Sequence, residues 1–306
     1  MGGQGRANSH SACTWGPGIG NLVAQQTSKV ASRPRRSWDG SVGNEDHGET
    51  GAAWDVVARQ KYRTEFDEHV ALLKSGSDNL LPDERDLLGP LLRGAHVVHL
   101  QCSHGLDALG LLNAGAASVV GVDISSEMVA QARAKAEAVG AARAHFVVAD
   151  AADPPRSLDG TADLIYTGRG ALPWILDLPR WASSAARLLK SGGHLFVYEG
   201  HPLANLWDRS AAELRLRDGV GYFDTEAREA PGFPADVVDR AMGSKRPRML
   251  ERQWRPGEVV EALVAAGFRV LKTSEFPTCF WNQFPSWPDD LRARLPNSYA
   301  VLAERE

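Results

Sequence analysis

The sequence predicts an α/β fold: a doubly wound, mostly parallel, seven-stranded sheet with N-terminal helices and an inserted cap. Three observations carry this. Between residues 96 and 199, short apolar, β-prone runs alternate with helical stretches through short connections. The first run enters its helix through a tight polar turn, Gln101 to His104. The C-terminal part adds a helix, a strand, a loop and a last strand. Right-handed crossovers leave little besides a parallel sheet for such an alternation.

Residues 1–50 are rich in Gly, Ser, Asn and Arg, and Arg6, Lys29, Arg33, Arg35 and Arg36 all precede the first acid, Asp39. A disordered extension is expected. A transit peptide over 1–37 is the alternative, and the lack of an evident amphipathic helix weighs against it. Residues 51–306 read as one domain. A helix is expected over 52–75, where Trp54, Val57, Ala58, Tyr62, Phe66, Val70 and Leu73 keep a 3.6 period. Pro82, Asp83 and Glu84 open a second helix, 82–92. The core at 95–200 follows: strands at 96–100, 118–123, 144–149, 162–166 and 194–199, and helices at 105–114, 126–139 and 178–190. Ser191, Gly192 and Gly193 are expected to stop the last helix. Residues 201–255 break the rhythm with Trp207, Tyr222, Phe223 and Phe233 among polar residues, and read as a cap. A helix at 256–267, a strand at 268–275, an aromatic loop (Phe280, Trp281, Phe284, Trp287) and a strand at 299–303 close the chain.

In such sheets a ligand lies beyond the carboxyl ends of the strands. Those ends carry Gln101 to Gly105, Asp123, Asp150, Tyr166 to Gly170, and Glu199 to Pro202. The tight turn lets backbone approach a ligand, and the free N–H groups of the next helix point at it. Asp123, one βα unit later, can accept hydrogen bonds from two ribose hydroxyls. A cap before Ser125 is the plainer role.

The stretch Val97 to Gly105 resembles the first motif of class I S-adenosylmethionine-dependent methyltransferases, apolar-apolar-acid-apolar-G-x-G-x-G. His99 replaces the acid, and Gln101 and Ser103 replace two glycines. The Leu-Gln-Cys-x-x-Gly form resembles a subgroup of that superfamily. The resemblance covers roughly residues 52–306 and is strongest over 96–200. It implies the Rossmann-like methyltransferase fold, with S-adenosylmethionine as cofactor. Gln101, Cys102, Ser103 and Gly105 would pass under its amino-acid part, and Asp123 with Ile124 would hold its ribose. Met128 would pack on the adenine, and Asp150 with Ala151 would read the adenine amino group. Tyr166 and Tyr62 complete the expected cofactor site. The pattern Trp54-Asp55-x-x-Ala58-x-x-x-Tyr62 resembles a helix that closes over the cofactor. Plain readings stand beside these: a core methionine at 128, a loop-capping Asp150, and a small packed cysteine at 102.

For the acceptor, Arg169 can pair with an acidic group, and Trp207 and Trp254 are expected to face it. His201 is the candidate general base, with an unperturbed pKa of roughly 6.5, and Glu199 is the second catalytic candidate. Neither Asn-Pro-Pro-Tyr nor Asp-Pro-Pro-Tyr follows the fourth strand. In that family this motif serves N-methylation of bases and protein amides, so its absence argues against nucleic-acid bases, while the aromatic cap and the unremarkable charge point to a small-molecule acceptor.

The totals set limits. A net charge of −4 and an isoelectric point near 6.2 give no electrostatic case for nucleic acid or an anionic membrane surface. No apolar run is long enough to span a bilayer. Cys13, Cys102 and Cys279 share no metal spacing and suit a reducing, cytoplasmic setting. No metal site is predicted. The expected function is small-molecule methyl transfer from S-adenosylmethionine. The alternatives are a non-catalytic cofactor-binding or scaffold protein and, less favoured for want of the G-x-G-x-x-G glycines, a nicotinamide-dependent oxidoreductase.

Overall fold

A computed structural model describes residues 44–224, 226–230, 235–243, 247–281 and 283–306. The expected N-terminal extension lies outside these except for residues 44–50, and Phe233 lies outside as well. Residues 44–50 are helical: α1 spans Asn44–Val57, earlier than expected.

The expected helix 52–75 is broken in the middle. A π turn at Ala58–Tyr62 follows α1, with the Arg63 N–H donating to Ala58 O, and α2 then runs over Phe66–Lys74. The Gln131 side chain also donates to Ala58 O, at 2.7 Å. An outside donor on a helix carbonyl permits the wider turn, so a continuous period did not mean a continuous helix. Helix α3, Pro82–Leu92, matches expectation.

The core follows in order: β1 His96–Leu100, α4 Leu106–Asn113, β2 Ser118–Asp123, α5 Ser126–Ala138, β3 Ala144–Val148, β4 Ala162–Gly168, α6 Leu178–Leu188 and β5 Leu189–Gly200. The Ser-Gly-Gly expected to end a helix instead lies inside β5. Leu189 already pairs with Ala162, and an irregularity in register follows before His194 pairs with Leu164. Past the cap come helix α7, Ala235–Met242, helix α8, Pro256–Ala265, strand β6, Phe268–Phe276, the short helix α9, Asp289–Arg292, and strand β7, Ser298–Arg305. The sheet order is β3-β2-β1-β4-β5-β7-β6. The first five strands pair in parallel, and β7 runs antiparallel to both β5 and β6.

Period-two alternation splits the core between the two faces of the sheet. Val98, Leu100, Val122, Ile165 and Val197 pack with Trp181 of α6 and Val259 of α8. Val97, Val119, Leu164, Tyr166, Phe196 and Tyr198 pack with α3, α4 and α5. On that second face Tyr166, Phe196, Tyr198 and Phe276 form a row of stacked rings, 5.8–6.4 Å between neighbouring centroids.

The cap is not a separate layer. Val238, Ala230 and Met249 from it share a buried cluster with Ala53, Val56 and Val57 of α1 and Met128 of α5. Among the described residues, no helix is long and apolar enough to cross a membrane.

Candidate active site

The turn after β1 takes a left-handed conformation at every other residue: φ is 58° at Gln101, 49° at Ser103 and 82° at Gly105. For a residue with a Cβ this costs on the order of 1–2 kcal/mol. Local bonds offset the cost. The Gln101 amide donates to Ala171 O at 2.6 Å and accepts from Thr167 Oγ1 at 3.3 Å. The Ser103 N–H donates to Asp123 Oδ2 at 2.7 Å. Only glycine fits at 105, because a Cβ there would lie 2.6 Å from Ala132 Cβ. Cys102, 2 % exposed, turns its thiol back toward Gly121, and burial pushes its pKa up.

Asp123 ends β2 and closes onto the same turn. Its other oxygen accepts from the Ser125 N–H at 2.9 Å. A carboxylate has about four acceptor sites, so lone pairs remain for a ligand. Burial pushes its pKa up to about 6, while the Ser125 and Ser103 N–H groups pull the other way.

Above these residues lies a cavity of about 1000 Å³. All five parallel strands feed it, through Gln101, Asp123, Asp150, Gly168 and Glu199 at or just past their carboxyl ends. Such a volume stands at the top of the roughly 300–1,000 Å³ that small-molecule sites occupy, which leaves room for two molecules side by side. Cys102, Ser103, Ile124, Met128, Ala151, Tyr62 and Arg169 also line it. Met128 belongs to the buried cluster under α1 as well, so its core and cavity readings hold together. Asp150 caps its own turn through the Ala152 N–H, 2.8 Å, and still borders the cavity.

Six expected site residues are placed otherwise. Gly105 sits behind the turn, against α5. Tyr166 is fully buried on the opposite face of β4, where its hydroxyl donates to Glu84 Oε1 at 2.6 Å. His201 does not border the cavity: its Nε2 pairs with Glu275 at 2.9 Å and its Nδ1 accepts from the Leu203 N–H. Burial lowers its pKa, with Glu275 opposing. Trp207 packs on Trp287, and the Trp254 indole donates to Ile175 O at 2.7 Å from within the α6 core. Glu199 does border the cavity, but its carboxylate accepts from the N–H groups of Gly170, Ala171 and Leu172 at 2.8–2.9 Å. It holds the loop after β4 in place, and burial pushes its pKa up to about 7.

Arg169 reaches the cavity wall, yet its charge is already spoken for. Its guanidinium pairs with Glu84, with Asp107 at 3.0 Å and with Asn79 O. It was expected to meet an acid on the acceptor, and it neutralises acids of its own chain instead.

Residues 97–193 match a protein family described as a methyltransferase domain. Over those residues the chain carries a methyltransferase domain, set on a seven-stranded sheet. No curated protein matches it in sequence. Among solved structures it is similar to an S-adenosylmethionine-dependent methyltransferase from Mesorhizobium loti: 24% identity, 73% of this chain and 96% of that one, TM-score 0.55. It is also similar in fold to a geranyl diphosphate methyltransferase solved with GPP and sinefungin: 14% identity, 73% and 78% coverage, TM-score 0.50.

The residues present fit S-adenosylmethionine as cofactor. Asp123 offers acceptors for a diol. The Nδ1 of His99, buried at the cavity floor, has no partner among the described residues. Burial lowers the His99 pKa to about 4, so the ring is a neutral donor or acceptor. Trp54 of α1 packs edge-to-face on Trp174 at 5.2 Å, and both rings line the cavity. Asp55 docks α1 on α5: its carboxylate accepts from Ser125 Oγ at 2.5 Å and from the Glu127 N–H at 3.0 Å. The Trp54-Asp55 pattern marked this helix in the sequence. The cap residues Asn205, Arg209, Arg217 and Gln253, also on the wall, carried no such mark.

Proposed function

We propose that this methyltransferase domain transfers a methyl group directly to a small-molecule acceptor bound under the cap. The observation that carries the reading is the Asp123 carboxylate, open to a large cavity and braced on the left-handed turn. Asp123 would hold the ribose hydroxyls of S-adenosylmethionine. Ile124, Met128, Asp150 and Ala151 would surround the base, and Gln101 to Ser103 would support the amino-acid part. When bound, that cofactor supplies an electrophilic sulfonium methyl. The chain's own task is alignment and exclusion of water. Gln101 ties the turn to the loop after β4, and Glu199 ties that loop to β5, so the donor and acceptor halves of the cavity share one braced frame. No base role is assigned to Glu199 or His201, since one serves as a loop anchor and the other lies outside the cavity.

Isothermal titration of the full chain with S-adenosylhomocysteine tests this. Asp123→Ala should weaken binding roughly 10- to 100-fold, the worth of hydrogen bonds to a charged group. Unchanged affinity would falsify the site. Incubation with labelled S-adenosylmethionine and a metabolite extract should yield a labelled small product. Binding without product would favour the non-catalytic alternative.

A further inference from the structure

The two ends of the cavity differ in charge. Over β1, β2 and β3 the wall carries Asp123 and Asp150. At the cap it carries Arg209, Arg217 and Arg228. The carboxylates near these arginines are largely taken. Arg228 pairs with Glu251 at 3.1 Å, and Asp208 pairs with Arg215. Arg209 and Arg217 are left with neutral acceptors only: Arg209 donates to Asn205 Oδ1 at 2.9 Å, and Arg217 to Asn205 O at 3.2 Å. Neither has a carboxylate partner among the described residues. The Nε of Arg209 is also buried with no hydrogen-bond partner among them. Burial and then the charge of Arg217 hold the Arg209 guanidinium below the usual arginine range, with Glu251 opposing. A buried cation beside a second cation is costly unless something negative completes it. The fork geometry of guanidinium suits a carboxylate or a phosphate.

The same corner is apolar. Arg209 lies over the Trp281 ring, 5.0 Å from its centroid. Trp281 itself is 44 % exposed, and Phe280 beside it leans on Gly200 at the end of β5. Arg209, Arg217 and Trp281 therefore stand over the β5 side of the sheet, away from Asp123 on β2.

Resting on the methyltransferase reading above, we propose that the acceptor is an amphiphilic anion. Its carboxylate or phosphate sits on Arg209 and Arg217, and its flat apolar body lies along Trp281 and Phe280. The signs agree with the chemistry, because an anion in the acceptor half complements the positive sulfonium in the donor half.

The test uses the full chain saturated with S-adenosylhomocysteine, titrated with 3-phenylpropionate, phenyl phosphate and the neutral 3-phenylpropanamide. The acid or the phosphate is expected to bind at least tenfold more tightly than the amide. Whichever anion binds better identifies the headgroup. Arg209→Gln and Arg217→Gln should each erase most of that preference while amide binding stays level, and Arg209→Lys should restore part of it. S-adenosylhomocysteine affinity should stay within about twofold of wild type in both Gln variants, which also reports that they fold. Equal binding of acid, phosphate and amide overturns the proposal, as does binding of none of them. So does a tenfold loss of S-adenosylhomocysteine affinity in Arg209→Gln, which would give that arginine to the cofactor's own carboxylate. Loss of S-adenosylhomocysteine binding in the wild type would instead sink the methyltransferase reading itself.

Discussion

Asp123 accepts one backbone N–H on each oxygen and faces the cavity, with a pKa pushed by burial to about 6. A ligand diol needs acceptors, and a protonated carboxyl replaces an acceptor site with a donor. Proton and cofactor therefore compete. Cofactor affinity should be flat above pH 7 and fall about tenfold between pH 7 and pH 5, the slope of a single group titrating near 6. Calorimetry from pH 5 to 8 with S-adenosylhomocysteine reads this directly, and Asp123→Asn should flatten the profile. A fall that persists in the Asn variant would assign the titration elsewhere. Arg169 makes a different case at the same scale. Its partner Glu84 is fully buried and also holds the Tyr166 hydroxyl. Arg169→Met leaves that carboxylate without its cation, and the loss should be about 3–5 kcal/mol of folding stability. Urea denaturation measures it. An unchanged midpoint would show that the arginine is dispensable to the fold.

Helix α1 is held by polar ties to α5 as well as by its apolar cluster with Met128, Val238 and Met249. Asp55 caps the first turn of α5 from across the gap, and Gln131 of α5 takes the last carbonyl of α1's register at Ala58. Asp55 both caps α5 and ties α1 to it, so Asp55→Ala should remove both interactions. A lost cap is worth about 1 kcal/mol. Amides of residues 44–62 should then exchange faster with solvent, and S-adenosylhomocysteine should bind several-fold more weakly, while β1 and α4 keep wild-type protection. Equal exchange in the variant would mean that the apolar cluster with Val238 and Met249 is sufficient to hold α1. The π turn belongs to this scale too. A run of apolar residues at helical spacing through Tyr62 is written in the sequence, but the extra residue per turn at 58–62 depends on Gln131, far along the chain.

Across the whole molecule, the alternation of strands and helices follows from local pattern, and the cavity does not. Strands 96–100 and 118–123 were legible to the residue, because apolar runs bounded by polar turns leave one register on a buried sheet. The place of Asp123 at the cavity was legible because pockets in such sheets lie beyond the strand ends. His201 was not, though it also leaves a strand end. Which way a side chain turns after the last ladder bond depends on its neighbours, and Glu275 on β6 draws the imidazole away from the cavity. Arg169 fails for the same reason, since Glu84 and Asp107 come to it from α3 and α4.

The sequence by itself thus determined the alternation of strands and helices, the polar turn after β1 and the acid that follows one unit later. These rest on periodicity and spacing, which are properties of neighbours along the chain. Only the tertiary structure decided which charges were already neutralised, which faces Trp254 and Tyr166 turned to, and that Arg209 and Arg217 meet at Asn205 with no carboxylate partner among the described residues. Pairing of charges and burial of rings are set by residues distant in sequence, whose meeting is fixed only when the core has closed.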